Sequence, residues 1–360
     1  MNEAYAIGGP HTHDEVSVAR TMSLVMLALL PATAFSLYQY GWPALNLFVI
    51  TVALSWLSEI LALRLMRKPL RLYAFDGSAI LTGWLLALSL PPWAPWWIAV
   101  VGAVFAMLIG KHVFGGLGQN VFNPAMLGRI GLLISFPLEM TTWVPANPLF
   151  TSGGVDFVEG LRITFYGIDN IDAISSATVL GHIKTELTRG HSVADTLHTM
   201  GWSALPASTA YMPGSLGETS AILILMGGIY LLLQRIISWH IPLAMLAAVA
   251  LMATTLHHID PARYADASVH LLSGGLMLGA FFIATDYVTS PSTRRGQIVF
   301  GFSIGLLAYI IRTWGGYPEG VGFAVLIMNA ATPVIDHFIR PRIYGRKRSG
   351  KSLAGDDAKK

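Results

Sequence analysis

The residues of this chain best suited to chemistry in water lie in one run, Asp172-Ala173-Ile174-Ser175-Ser176-Ala177-Thr178-Val179-Leu180, inside the only long polar interval of an otherwise apolar sequence. The run holds two serine hydroxyls, one threonine hydroxyl and an acid six residues before the threonine. Small neighbours leave the Thr178 hydroxyl uncrowded, and serine side chains compete for backbone hydrogen bonds, so a loop with an exposed Thr178 is expected. Such a hydroxyl can accept a transferred group. A Ser/Thr-rich surface turn has the same composition, and the pattern alone leaves both readings open.

A second set of candidates is ionisable and sits in apolar surroundings: Glu59, Lys111, Arg129, Asp286, Arg312, Glu319 and Asp336. Charge inside a bilayer is costly and is usually kept for a pathway or a pair. The competing reading is that Arg129 or Arg312 snorkels to a headgroup or closes an internal salt bridge. Asn120 and Asn123 precede Pro124, and proline is favoured at a first helical position, so a helix cap there explains both cheaply. The eleven histidines lack the paired spacing on one helix face that zinc needs, and no metal site is expected. With no cysteine, the chain can form no disulfide, hold no iron–sulfur cluster and offer no thiolate. A redox role would need an organic cofactor or a histidine-bound metal.

The elements that position these groups follow from composition. The chain is 54% hydrophobic and 12% charged, against about a quarter charged in soluble domains. This implies an all-α integral membrane protein. Ten transmembrane helices are expected, at about 20–39, 44–66, 76–92, 95–113, 121–138, 219–237, 240–257, 269–289, 297–313 and 320–338. The expected domains are a cytoplasmic N-terminal segment 1–19, a five-helix repeat 20–138, a periplasmic segment 139–218, a second five-helix repeat 219–338 and a basic cytoplasmic tail 339–360. The polar start lacks the basic residues of a signal peptide, so the apolar run after it is expected to be an anchor. Arg64, Arg67, Lys68, Arg71, Arg235, Arg294, Arg295 and the bases from Arg340 to Arg348 fall on one side if both termini are cytoplasmic. Thr178 then faces outward, into the periplasm of a bacterium. The net charge of +3 reflects topology, and no nucleic-acid partner is expected; membrane lipid is, with the tail held near anionic headgroups.

The halves echo each other at an offset of two hundred residues: Pro91 and Pro291, Gly115-Gly116 and Gly315-Gly316, Gln119 and Glu319, Val121 and Val321, with Lys111 and Arg312 before each glycine pair. Five helices per half is odd, so a duplicated half must be inserted upside down relative to its partner. Inverted repeats with Gly-interrupted segments usually meet near the midplane, where 111–126 and 312–326 are expected.

Three blocks carry a family resemblance. They are Gly110-Lys111-His112-Val113-Phe114-Gly115-Gly116-Leu117-Gly118-Gln119-Asn120-Val121-Phe122-Asn123-Pro124-Ala125-Met126, Phe282-Ile283-Ala284-Thr285-Asp286-Tyr287-Val288-Thr289-Ser290-Pro291, and Gly315-Gly316-Tyr317-Pro318-Glu319-Gly320-Val321 continuing through Asp336 to Arg340-Pro341-Arg342. Over about residues 20–345 the chain resembles the NqrB/RnfD family of membrane proteins, found in the sodium-translocating NADH:quinone oxidoreductase and in the Rnf complex. The short polar start favours the Rnf branch, since the other typically carries a longer leader.

The resemblance implies FMN joined through a phosphoester to Thr178, within Ser175-Ser176-Ala177-Thr178, where Ser176 replaces the family's usual glycine. It also implies Asp172 as a holder of the metal that accompanies the phosphate during transfer. Asn120, Asn123 and Arg129 become candidates for contacts with a flavin, and a non-covalent riboflavin is allowed within the helix bundle. The implied function is electron relay inside a complex that moves electrons between ferredoxin and NAD, coupled to sodium or proton transport. The implied partners are the other members of that complex, including a second flavoprotein and iron–sulfur proteins, and an FMN transferase. The chain has no glycine fingerprint for NAD itself. The rival reading is a passive channel or secondary transporter without flavin, for which the same helices serve equally well; a third is a structural scaffold.

Overall fold

The computed structural model describes residues 17–151, 153–167, 178–204, 214–317 and 319–341; Asp172, Ser175, Ser176 and Ala177 lie outside the described residues. Among those described there are helices and no β-strand. The first half comprises α1 (Val18–Leu65), α2 (Leu70–Tyr73), α3 (Ser78–Ser89), α4 (Trp96–Val104, continued as a π-helix over Phe105–His112), α5 (Pro124–Ser135) and α6 (Pro137–Thr141). The interval that follows holds α7 (Phe157–Tyr166), α8 (Val179–Thr188) and α9 (Val193–Thr199). After a 3-10 turn at Leu216–Glu218 come α10 (Ala221–Leu233), α11 (His240–Ile259), α12 (Ala267–Leu272), α13 (Leu276–Leu278, continued as a π-helix over Gly279–Ile283), α14 (Arg294–Trp314) and α15 (Val321–Phe338).

Four helices, α1, α11, α14 and α15, are long and apolar enough to cross a membrane, and α3, α4 with its π extension, α5 and α10 are shorter apolar helices. α1 is two helices in one rod, because Gly41 at φ +75° and ψ −161° breaks the helical path. That conformation is cheap only for glycine. Along α1 the polar side chains point inward: Thr33, Ser36, Gln39, Thr51, Ser55 and Ser58 are buried while Leu27, Leu30, Val49, Leu57 and Leu61 are exposed. In lipid, leucine gains nothing by turning inward, whereas small and hydroxyl residues let backbones approach and hydrogen-bond. Trp84 on α3 donates to Thr33 Oγ1 at 2.8 Å, tying α3 to α1.

The connections sort into two hydrogen-bonded sets. In one set, Asn147 N donates to Gln39 O, Trp93 Nε1 to Tyr40 O, Leu216 N to Leu90 O and Val193 N to Ala262 O, and Lys184 Nζ to Gly315 O. In the other, Lys68 Nζ donates to Gly115 O, Tyr287 OH to Ile236 O, Ser238 Oγ to Gln297 Oε1 and Ser292 N to Asp336 Oδ1. The two Gly-rich segments thus belong to opposite ends of the bundle. The expectation that they meet at its centre is corrected: each closes a helix end, Gly115 against Lys68 and Gly315 against Lys184.

Helix limits depart from expectation where a breaker intervenes. The fifth stretch ends at Ser135 ahead of Phe136-Pro137, because a residue before proline is disfavoured in the helical region. The eighth is split at Ser273-Gly274-Gly275, where Gly274 has φ +71°.

Candidate functional site

α8 begins at Thr178, whose backbone is extended (φ −65°, ψ 154°) and whose Oγ1 accepts from Gly181 N at 3.1 Å. Threonine is a good N-cap because its oxygen satisfies a backbone N–H that the helix cannot. The hydroxyl is therefore not standing free: Thr178 is only 5% exposed, against the loop exposure expected from composition. Packing is the reason, since Val179, Leu180 and Ile183 turn into a small apolar cluster with Val193, Ala265 and Val269. Farther along α8, Lys184 Nζ donates to Arg312 O at 3.2 Å and to Gly315 O at the C-terminal end of α14. A cation at a helix C-terminus completes unsatisfied carbonyls and meets the negative end of the dipole. Burial pushes the Lys184 amine below its ordinary value. The helix that carries Thr178 is thus clamped to the apolar bundle.

Among the described residues, two buried cations, Lys111 and Arg312, lie one in each half of the chain. In the first, Lys111 Nζ lies 2.7 Å from Glu59 Oε1 and donates to Ser78 Oγ at 2.7 Å. Ser78 Oγ in turn donates to Asp76 Oδ1 at 2.6 Å. His112 Nε2 stands 3.6 Å from the same Glu59 oxygen. The π-helix over Phe105–His112 accounts for two consecutive inward side chains at one helix end. Among the described residues, Glu59 Oε2 and both ring nitrogens of His112 find no hydrogen-bond partner. Both residues line a cavity of about 190 Å³ that also reaches Lys68, Asp76 and Gly116.

In the second, Arg312 Nη1 donates to His270 O at 2.8 Å, and Nη2 lies 3.2 Å from Ser273 O and 3.5 Å from Glu319 Oε1. Glu319 Oε2 accepts from Gly275 N, and Glu218 accepts from Ser215. A Cβ on Gly275 would stand 3.8 Å from Glu319 Oε2 and 3.9 Å from Glu218 Oε1, so two carboxylates flank the helix break. At Gly274 a Cβ would collide with Glu319 and stand 2.7 Å from Arg312 Nη2. Gly274→Ala is therefore expected to cost at least about 1–3 kcal/mol from its left-handed backbone alone and to lower the unfolding temperature in detergent. Gly275→Ala, whose methyl meets only ordinary van der Waals contacts, should fall close to wild type in the same melt.

Asn123 caps α5, its Oδ1 accepting from Met126 N at 3.2 Å with Pro124 at the first helical position. Its backbone N–H is taken by Asn329 Oδ1 at 3.1 Å. Asn120 does not cap: its Nδ2 donates to Phe122 O at 3.1 Å, and its Oδ1 is buried without a partner. Both asparagines, with Lys111 and Asp286, line an apolar cavity of about 100 Å³ between the halves. Arg129 lines a separate, smaller cavity together with Glu319 and Gly275. Asn120 and Asn123 therefore share one cavity, Arg129 belongs to another, and Thr178 stands at the clamped helix. Among the described residues no group of three or more histidines and acids could hold a metal.

Sequence reasoning singled out Glu59, Lys111, Arg312 and Glu319 one by one without pairing them, and passed over Ser78, His112, Lys184, Glu218 and His270. Lys184 offered one signal: it follows Thr178 by six residues, less than two turns of one helix.

Comparison with known proteins bears directly on this arrangement. The NQR2, RnfD, RnfE family matches residues 6–345. A protein of Stutzerimonas stutzeri, named as the D-type subunit of an ion-translocating oxidoreductase complex, is 56% identical over 337 residues, covering 94% of this chain and 95% of that one. Its namesakes are 51% identical in Halorhodospira halophila, over 97% of this chain and 98% of that one, and 48% identical in Rhodobacter capsulatus, over 85% and 84%. On a family match along nearly its whole length and relatives of this identity, the chain belongs to the NQR2, RnfD, RnfE family, among the D-type subunits of ion-translocating oxidoreductase complexes.

Proposed function

We propose that this chain is the flavin-carrying membrane subunit of an ion-translocating electron transport complex, with FMN bound covalently through its phosphate to Thr178. The observation that carries the reading is the position of that hydroxyl, at the N-terminus of a helix clamped by Lys184 to the apolar bundle. A phosphoester there would place its negative charge at the positive end of α8, an arrangement that contributes about 0.3–1 kcal/mol at a surface. The ester oxygen keeps lone pairs, so it can still accept from Gly181. FMN supplies one- and two-electron chemistry when bound, and the chain supplies anchorage: α8 fixes the attachment point, and the Lys184 clamp fixes α8 against α14.

The membrane topology belongs to the same proposal. Ten crossings in two inverted five-helix halves are supported by the two sets of connections, which alternate along the chain between one end of the bundle and the other. They are supported also by the buried cations: Lys111 reaches the first turn of α3, and Arg312 reaches the break before α13. The excess of Lys and Arg around Arg64–Arg71 and Arg340–Arg348 supports cytoplasmic termini, with Thr178 in the periplasm of an inner membrane. Electrons between ferredoxin and NAD, a second flavoprotein, iron–sulfur proteins, an FMN transferase, surrounding lipid and coupling to sodium or protons complete the reading.

A non-covalent riboflavin is proposed for the cavity between the halves. It is lined from both halves, and Asn120 Oδ1 offers a buried acceptor with no partner among the described residues. Acid extraction of the intact complex should release free riboflavin, and Asn120→Leu should abolish that release while leaving covalent flavin in place. Extraction that yields none from the intact complex removes this second flavin.

The covalent flavin is tested on a denaturing gel under ultraviolet light. Protein from cells containing the flavin transferase should fluoresce, and Thr178→Ala should be dark. A dark band from the unaltered chain would favour the channel or transporter.

A further inference from the structure

At the base-rich end of the bundle, the turn between α10 and α11 borders a cavity of about 550 Å³, lined by Arg235, Ser238, Trp239, Tyr287, Ser290 and Gln297 together with aliphatic side chains. Sites for small ligands span roughly 300–1,000 Å³. The lining holds a cation and no acid. Asp286, between Thr285 and Tyr287, lines the cavity between the halves instead, and it accepts from Val288 N and Thr289 Oγ1. A second cation stands close by: Arg294 opens α14 and lies near His240, the first residue of α11. Among the described residues, neither Arg235 nor Arg294 forms an ion pair, unlike Arg162, Arg189 and Arg312. α11 adds to the positive field, because Trp239 gives it no side-chain cap and its first turn keeps N–H groups without helical acceptors.

Arg235 itself occupies a strained place. α10 closes with Arg235 N donating to Leu232 O and Ile236 N to Leu231 O. That pair of bonds requires a left-handed residue just past the helix, and glycine usually fills it. Arg235 fills it here, at φ +56°. A bulky side chain in that region signals that the position is kept for something other than the turn. The same closure ends α1, where Arg67 N donates to Arg64 O, Lys68 N to Leu63 O, and Arg67 has φ +55°. Arg67 lies at the same end of the bundle but does not line the cavity.

Trp239 and Tyr287 are exposed, and amphipathic rings of this kind sit at the headgroup level of a bilayer. Leu233, which ends α10, and Leu243, in the first turn of α11, are exposed as well. They offer apolar surface that acyl chains can cover.

We infer that this cavity binds the phosphodiester headgroup of an anionic phospholipid, held by the Arg235 guanidinium and the first turn of α11. A guanidinium meets phosphate oxygens through a planar fork of donors. A zwitterionic headgroup would bring its own cation towards Arg235 and Arg294, so the anionic lipid is preferred. The inference rests on the bundle lying in a bilayer and is independent of the flavin.

The test uses the full-length chain in detergent, with bound lipid counted by native mass spectrometry as phosphatidylglycerol or phosphatidylcholine of the same acyl chains is added. The unaltered chain should retain phosphatidylglycerol in preference. Arg235→Gly should weaken that retention about fivefold, the worth of one basic residue at an anionic membrane surface. Its melting temperature without added lipid should not fall, since glycine relaxes the left-handed backbone. Arg67→Gly makes the same backbone change and removes the same charge from the same end, and it should leave retention unchanged. Should Arg235→Gly fail to fold, Arg294→Gln is the second variant, with retention expected to weaken severalfold.

Equal retention of the two lipids by the unaltered chain would overturn the site. Equal losses in Arg235→Gly and Arg67→Gly would overturn it too, in favour of a general attraction to the base-rich end. Displacement of phosphatidylglycerol by inorganic phosphate at equal concentration would overturn it in favour of a soluble phosphate.

Discussion

Glu59→Leu is expected to be the most destabilising single change in the bundle, and Glu59→Leu combined with Lys111→Met is expected to recover most of the loss. The Lys111 ammonium is 1% exposed, and its direct neighbours are Glu59 Oε1 and Ser78 Oγ, each at 2.7 Å. Removing the carboxylate strands a buried charge whose remaining direct partner is a neutral hydroxyl. Breaking a buried pair in this way costs about 3–5 kcal/mol, whereas replacing both members by apolar groups of similar size is often neutral or stabilising. The check is a double-mutant cycle on unfolding temperature in detergent. Additive losses, with the double variant losing the sum of the two single losses, would show that the pair contributes no coupling.

His112 sharpens the expectation. It stands 3.6 Å from the same Glu59 oxygen with both ring nitrogens unpartnered. In the Glu59→Leu variant the imidazole has no acid to face.

Thr178→Ala carries the second large effect, on function rather than folding. Loss of the cap costs about 1 kcal/mol of helix stability, which α8 withstands because Leu180, Ile183 and the Lys184 clamp remain. Loss of the hydroxyl removes the only attachment point that the proposal allows, so covalent flavin and electron transfer through the complex should both vanish in folded, assembled protein. Thr178→Ser keeps an oxygen able to cap and to form an ester. It should retain measurable fluorescence on a denaturing gel, with stability within a few tenths of a kcal/mol of the parent, since serine and threonine cap nearly alike. Normal electron transfer in Thr178→Ala would leave the structural scaffold as the better account.

What the sequence made legible was local. The break at Gly41 was legible because Gly-Trp-Pro interrupts an apolar run, and the Asn123-Pro124 start of α5 because cap and first-turn chemistry are written in adjacent residues. Apolar stretches marked the helices because lipid demands them. Contacts between distant residues were not legible. Glu59 and Lys111 are separated by 52 positions, and Lys184 and Gly315 by 131; no spacing rule pairs such residues.

Thr178 shows how local chemistry can misplace a side chain. Small polar neighbours promised exposure, but the same threonine is an N-cap, and Val179, Leu180 and Ile183 of its helix pack into a cluster with Ala265 and Val269. Asn120 misled in the opposite direction: it stands before a helix as a cap would, yet Asn123 is the cap and Asn120 keeps a buried oxygen unpartnered.

The central claim is that Thr178 bears FMN, and the mass of the peptide spanning Ile174 to Lys184, taken from protein made with its flavin transferase, tests it most directly. That peptide should be heavier than its sequence by one FMN less one water, with the added mass on Thr178 after fragmentation. A peptide of unmodified mass from the assembled complex would contradict the claim.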